Sequence, residues 1–454
     1  MNAADSQRRA WLKAGALLPL APSMALATAT SSATASAAAT VYAGATAIAA
    51  APTLPVMPAR PAGTPQQVAA DESYWRQIAA QYDITNEVAM LDNAFWGSMS
   101  RPVLAAYEQH VAEVNRGNSY YGRTQFPPAF GAARRRAAEA LGVSADEIVF
   151  TRGATEALQI LIGSYNKLRP GDVVLCADID YDNMITTLHW LKQRRGVEVV
   201  SIAMPEPFTH QSVIDCYAQA MARHPKLKLM LLTHVNHRNG MVLPVAEINR
   251  MARERGIDTI VDTAHGFGQL DMRLPDLQAD FAGINLHKWI GAPIGVGAIY
   301  IRRGRVQDID PYMGETDRAD IRTRVHTGTL NFAAYLALPQ ALDLHEQVGV
   351  AYKQARLARL RQRWLDAVRD VPGLQLLASD DPRLSSAIAA FRLRGRTSMA
   401  DNVALARRLL KEHGVFTVER DGLAGGACVR ATPSIFTLEA EVDRLSAALR
   451  KVAA

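Results

Sequence analysis

From about residue 134 the chain alternates two hydrophobic patterns. Short apolar runs at Glu147–Thr151, Asp172–Cys176, Val197–Ile202, Leu227–Thr233, Thr259–Asp262 and Val296–Ile301 read as strands. Between them, apolar residues recur every three or four positions over Ala154–Asn166, Asn183–Arg195, Gln211–Arg223 and Val245–Arg255, which predicts helices. Apolar strands separated by such helices imply a mainly parallel sheet covered on both faces. With a further apolar strand just before Lys288, the pattern predicts an α/β large domain with a mainly parallel seven-stranded sheet flanked by helices, which together with an N-terminal segment spans 71–335. From about Leu336 the pattern changes. One long helical stretch, Leu338–Val371, is followed by short strands and helices that end with Leu438–Ala453. This predicts a connecting helix and a smaller α+β C-terminal domain over 336–454.

The first seventy residues follow neither pattern. Thr28 to about Gln67 is nearly all Ala, Thr, Ser and Pro, and we read 28–70 as a flexible linker. Ahead of it, Arg8-Arg9-Ala10-Trp11-Leu12-Lys13 precedes an apolar run, and Ala25-Leu26-Ala27 has the form of a cleavage site. Residues 1–27 resemble a twin-arginine signal peptide, which implies export to the periplasm in a folded state by the twin-arginine translocase. The run Ala14–Leu26 is too short to span a bilayer as a helix.

Composition narrows the class. A hydrophobic share of 49% with 21% charged residues fits a soluble globular protein rather than a disordered or membrane-spanning chain. The formal charge of +6 includes the basic leader. The clusters Arg134–Arg136 and Arg302–Arg305 lack interleaved aromatics, so they read as solvated faces and no nucleic-acid partner is expected. Three widely spaced cysteines, Cys176, Cys216 and Cys428, form neither a disulfide framework nor a metal knuckle.

Parallel sheets bind ligands at the carboxyl ends of their strands, so chemistry is sought there. Gly153-Ala154-Thr155 opens a helix directly after a strand, the setting of an anion site. Tyr181 follows the next strand and would stack on a flat ring or lie at the surface. His234-Val235-Asn236-His237 follows another. Asp262 ends an apolar strand, where a carboxylate needs a positive partner or a proton, and His265 stands three residues on. Asn285-Leu286-His287-Lys288 precedes the glycine-rich run Gly291–Gly297.

Taken together, these residues resemble the class V aminotransferase family of pyridoxal-phosphate (PLP) enzymes with fold type I. That family includes cysteine desulfurases and isopenicillin N epimerase-like proteins. The resemblance runs from about Leu91 to Leu445. It implies that pyridoxal 5'-phosphate is bound through Gly153, Ala154, Thr155, Tyr181, Asn236, His237, Asp262, His265, Asn285, His287, Lys288 and Thr329. Lys288 would carry the Schiff base and the proton. Asp262 would pair with the pyridine nitrogen, and His265 would contact the ring. Asn236 and His237 compete for the place beside the ring oxygen. Thr329, in His326-Thr327-Gly328-Thr329-Leu330, would reach the phosphate of a second subunit, making an obligate homodimer. Asn93, Phe95 and Trp96 in the Leu91–Gly97 segment, with Arg430, would bind the substrate, Arg430 through its carboxylate.

The reaction is less specified. Desulfurases place a cysteine upstream of the carboxylate arginine, and Gly414–Glu419 contains none. This argues against persulfide chemistry. The pairing of an export signal with this fold is similar to that of a periplasmic enzyme tailoring the siderophore pyoverdine. The expected substrate is therefore an amine on a small molecule, peptide or siderophore precursor. The alternatives are transamination, epimerisation or lyase chemistry on free amino acids. From other classes come a metal-dependent hydrolase built from His234, His237, His265, His287, His326 and Asp262, and a non-catalytic binding protein.

Overall fold

The structure, a computed structural model, describes residues 56–453. The signal-peptide reading and most of the expected linker lie outside these residues. The rest of that linker does not stay extended: Thr64 caps a short helix, Pro65–Ala69, whose Val68 and Ala69 are buried. A side-chain oxygen at the cap and a proline in the first turn start this helix despite its plain composition.

A short strand, β1 (Ala89–Met90), is followed by two long helices, Arg101–Thr124 and Phe126–Leu141. The central sheet then forms from β2 (Ile148–Thr151), β3 (Val173–Ala177), β4 (Glu198–Ile202), β5 (Leu227–Thr233), β6 (Asp258–Asp262), β7 (Phe281–Asn285) and β8 (Gly297–Ile301), in the order β2-β8-β7-β6-β5-β3-β4. Five neighbouring strands from β7 to β4 pair in parallel, and β8 runs antiparallel to both β7 and β2. The edge strand β4 carries exposed residues, and β5 has one, Lys228 near its start. The others are nearly all buried because helices cover both faces, which is why their sequences read as continuous apolar runs.

The predicted helix Leu338–Val371 is broken. It becomes Leu338–Val348 and Val350–Val368, separated by Gly349 at φ 87°. A Cβ there would stand 2.5 Å from Arg60 Nη1, so the sharp turn needs glycine. The C-terminal part adds β9 (Leu374–Leu376), β10 (Ala389–Leu393), β11 (Val415–Phe416), β12 (Val418–Arg420) and β13 (Cys428–Ala431). The antiparallel sheet runs β12-β13-β10-β9, while β11 pairs with β1. Strand β1 of the N-terminal segment thus pairs with the C-terminal part. The described residues form one compact unit.

The basic clusters are not simply solvated. Arg134 Nη1 donates to the Ala145 carbonyl (2.5 Å), and Arg136 pairs with Asp343 and Glu346. Among the described residues no helix is long and apolar enough to cross a membrane.

Candidate active site

The carboxyl ends of β2, β5, β6 and β7 open into a cavity of about 900 Å³. Lys288 lies on its wall. After β7 the chain must reverse to enter antiparallel β8, and it does so through Gly291 and Gly295, at φ 75° and 92°. Lys288 rides on this turn. The Leu91–Gly97 segment braces it from outside: the Gly97 amide donates to the His287 carbonyl (2.8 Å). A Cβ on residue 97 would stand 1.7 Å from the Lys288 carbonyl oxygen, so only glycine allows this approach.

The Lys288 amine is 3.0 Å from His265 Nε2. Trp289 Nε1 lies 3.3 Å from the other ring nitrogen, Nδ1, and an indole N–H can only donate. Nδ1 therefore accepts, the imidazole proton sits on Nε2, and Nε2–H points at the lysine nitrogen. Such a bond needs a lone pair on the amine. Burial, offset in part by Asp262, brings the Lys288 pKa down to about 8, which raises the share of neutral amine relative to an ordinary lysine. Burial and the nearby Lys288 and Arg430 charges hold His265 well below its ordinary value. Asp262 is buried, and burial raises its pKa against the pull of the Ala264 amide and Lys288. Its Oδ1 accepts from the Ala264 amide (2.9 Å), which leaves Oδ2 for another partner.

The helix Ala154–Ser164 starts at Gly153 beside this group. A Cβ on Gly153 would come 3.1 Å from both Asn285 Oδ1 and His287 Cε1, closing the cradle. One expected anion donor is already used: the Ala154 amide donates to Asn285 Oδ1 (2.7 Å). Asn285 therefore holds the helix start, and only its NH₂ end is left to donate. The amides of Thr155 and Glu156 have no intrahelical acceptor. His287 Nδ1–H donates to the Val296 carbonyl (2.9 Å), so Nε2 becomes a donor only on protonation. Burial lowers its pKa, and an anion in the cradle would raise it again.

The other expected residues divide. His237 and Tyr181 both line the cavity, ring edge to ring face at 5.5 Å. Asn236 does not line it. Its Nδ2 donates to the Ile179 carbonyl (2.6 Å) and its Oδ1 accepts from the Arg238 and Asn239 amides, so its side chain builds the turn. Of the competing pair, the structure puts His237 at the cavity. Asn93 is likewise corrected: its amide donates to the Met90 and Thr432 carbonyls (both 2.9 Å) and joins two backbone segments rather than facing substrate. Phe95 stands exposed at the cavity mouth, while Trp96 packs beside it at 4.6 Å and does not line the cavity. Thr329 is exposed and lies away from this chain's own cavity. Arg430 lines the cavity but forms a buried ion pair with Asp92 and donates to the His237 carbonyl (2.8 Å).

Two arginines were missed. Arg420, on β12, lines the cavity and has no ion pair among the described residues. Buried Arg238 donates to the carbonyls of Ile179 (2.7 Å), Asp180 (3.0 Å) and Asp421 (2.5 Å) and pairs with Asp182 (2.6 Å), locking three loops. Arg420 sits between Glu419 and Asp421, which reads in sequence as a solvated charge run.

None of the three cysteines lines the cavity. All are free thiols, and burial pushes Cys176 and Cys428 up to about 12, which keeps them protonated and unreactive. No cluster of three or more His, Cys, Asp or Glu side chains suited to a metal ion occurs among the described residues.

A buried amine poised near neutrality, a strand-end carboxylate with a free oxygen, flanking imidazoles and a helix start closed by glycine fit pyridoxal 5'-phosphate. Comparisons with known proteins point the same way. The family described as aminotransferase class-V matches residues 98–448. The isopenicillin N epimerase of Streptomyces clavuligerus is 29% identical over 393 residues, covering 83% of this chain and 97% of the relative. A probable cysteine desulfurase of Xylella fastidiosa is 26% identical over 415 residues, covering 83% and 95%. Among solved structures, a C-DES mutant with glycine covalently linked to its PLP cofactor superposes with a TM-score of 0.70 at 21% identity, covering 80% of this chain and 97% of that one.

Proposed function

Because the chain belongs to the class V aminotransferase family and is a pyridoxal-phosphate-dependent enzyme, we propose that it acts on the amine of an amino acid or peptide carried by an exported molecule such as a siderophore precursor. The observation that carries the enzymatic reading is the Lys288–His265–Trp289 relay beside Asp262. A cavity of about 900 Å³ with exposed Phe95 and Met399 among its lining residues favours the end of a larger molecule over a small free amino acid.

The cofactor supplies an electron-accepting ring that stabilises negative charge on the carbon next to the amine. Lys288 would anchor it through Nζ, and Asp262 would hold its ring nitrogen charged. Thr155, Asn285 and His287 would meet its phosphate. His237 and Tyr181 would border the ring. His265 donates through Nε2 to Lys288, keeping the lysine lone pair oriented and the nitrogen able to take a proton and return it. Trp289 fixes the His265 tautomer that allows this. With no thiol at the cavity, we assign the chemistry to bonds at the amine-bearing carbon rather than to sulfur transfer.

The wider setting belongs to the same proposal. Export through the twin-arginine route would carry the folded, loaded protein to the periplasm. A second copy would complete each site through its Thr329, as a homodimer. The absorbance of purified protein tests the core reading: a lysine-bound cofactor band near ~420 nm is expected, and it disappears in Lys288→Ala. A colourless protein that cannot be reconstituted overturns it. Cell fractionation of an Arg8→Lys, Arg9→Lys variant tests export, since retention of periplasmic protein would exclude that route.

A further inference from the structure

The turn that carries Lys288 presents three carbonyls in succession, and each is held from a different direction. The His287 carbonyl accepts from the Gly97 amide (2.8 Å), and the Lys288 carbonyl from the Gly291 amide (3.1 Å). The Trp289 carbonyl accepts from the Lys353 amine. The first two bonds are between backbone groups. The third comes from a side chain on the helix Val350–Val368, and no step described above uses it.

Lys353 is a costly residue for that place. It is 5% exposed, and among the described residues no carboxylate pairs with it. The titratable groups that face it offer no compensation. His345, on the helix Leu338–Val348, has an Nδ1 without a partner, and burial together with the Lys353 and Arg136 charges holds it well below its ordinary value. Tyr82 and Lys288 border a small cavity that Lys353 also lines. Burial alone brings the Lys353 pKa down to about 7. Methionine would fill similar space with no amine to desolvate, but it could not donate to the Trp289 carbonyl.

The clamp stands on a fixed support. One turn further along the helix, buried Arg356 pairs with Glu72 (2.7 Å) and donates to the carbonyls of Ala69 (3.2 Å) and Thr437 (3.1 Å). The clamped turn, by contrast, has room to shift. The small cavity measures about 20 Å³, space for one water, and is lined by Gly97, Ser98, Lys288, Trp289 and Ser434 beside Lys353. A shift there would reach Lys288 twice: along the backbone, and through the Trp289 indole that sets which His265 nitrogen faces the amine.

We propose that Lys353 is a positioning residue: by clamping the Trp289 carbonyl it holds the turn in the arrangement that points the His265 N–H at the Lys288 amine. Lys353 does not touch the reacting atoms. The charges that act on Lys288 directly, Asp262, Asp92, Arg420 and Arg430, are unchanged when Lys353 is replaced. The catalytic consequence rests on the pyridoxal-phosphate reading above.

Two readouts test this. The first needs no cofactor: hydrogen exchange of the apoprotein at the Gly97 and Gly291 amides, which close the other two bonds of the turn. Lys353→Met is expected to speed exchange there roughly 5- to 10-fold, the worth of one hydrogen bond, with Tm unchanged or raised. The second is the pH profile of cofactor uptake. Losing the bond from His265 disfavours the neutral amine, so the midpoint is expected to move up by about 0.5–1 unit, toward the ordinary lysine value. Lys353→Gln keeps a neutral donor and is expected to return part of both effects. Arg359→Ala, on the same helix but paired with Glu439, is expected to lower Tm and move neither. The proposal is overturned if Lys353→Met keeps wild-type exchange and midpoint, if it lowers Tm with the midpoint unmoved, or if Arg359→Ala shifts both readouts equally. Should Lys353→Met not fold, wild-type values in Lys353→Gln overturn it instead. A wild type that takes up no cofactor fails the underlying functional reading, and exchange in the apoprotein still decides the clamp.

Discussion

The two ends of the central sheet carry similar charges and use them in opposite ways. At the amino ends of the strands, a cavity of about 410 Å³ is lined by Asp258, Asp280, Arg302 and Arg305. There every carboxylate is answered. Arg305 bridges Asp258 (2.7 Å), Asp280 and Asp308, Arg302 reaches Asp280 (2.5 Å), and the Tyr165 hydroxyl donates to Asp258 (2.5 Å). At the carboxyl ends the charges are left short. Asp262 has one amide, Lys288 leans on an imidazole, and Arg420 has no counter-ion. A protein does not leave buried charge unsatisfied without a partner to supply it. One end is a finished structural network. The other is arranged for a ligand.

Perturbing the two ends should therefore separate activity from stability. Lys288→Ala should have the largest effect, lowering turnover by at least ~10³-fold, about 4 kcal/mol of barrier, while Tm changes little. Retained turnover in a steady-state assay breaks the comparison at its strongest point. Asp262→Asn should cost about 10²-fold in turnover and weaken cofactor retention during dialysis, because a neutral amide cannot keep the ring nitrogen charged. At the opposite end, Arg305→Ala should destabilise the fold by about 2 kcal/mol, a value reduced for partial solvent screening, and leave the cofactor spectrum unchanged. Chemical denaturation reads this directly, and a spectral change would mean that the ends are coupled.

The smallest effect is in pH. The reactive form of Lys288 is the neutral amine, which is populated above its pKa. Cofactor uptake by apoprotein should therefore rise with pH and level off just above about 8. Stopped-flow absorbance gives the profile. A midpoint at the ordinary lysine value would show that burial does not tune this amine.

Much of this contrast was legible in the sequence. Apolar runs ending in Thr151, Thr233 and Asp262 match strand ends of the sheet, and Gly153, His237 and His265 just beyond them line one cavity. What stayed hidden depends on the partner each polar side chain finds. Nothing in Asn236-His237 says which side chain the turn consumes. The answer lies in the Arg238 and Asn239 amides, which capture Asn236. Asn93 was misassigned for the same reason, since its acceptor at Thr432 is 339 positions away. Arg430 and Arg420 differ in the partners they find, Asp92 and the His237 carbonyl for one and the Glu419 carbonyl for the other, and no local pattern announces this. The break at Gly349 was missed because helical periodicity continues across it, and the glycine is required by a left-handed φ of 87° that the sequence does not announce.

The pairing of β1 with β11, together with the bridge from Asp92 to Thr432, has a consequence for how the chain matures. The small domain joins a segment around Ala89 to one around Val415, far apart along the chain. A growing polypeptide cannot close this contact before β11 and Thr432 have been made, and loop closure over such a distance is slow. The segment that carries the Gly97 brace should therefore set late, after the central sheet has formed. On that view the catalytic turn is among the last parts of the molecule to become rigid, and a newly made chain passes through a stage in which it remains open to the cofactor.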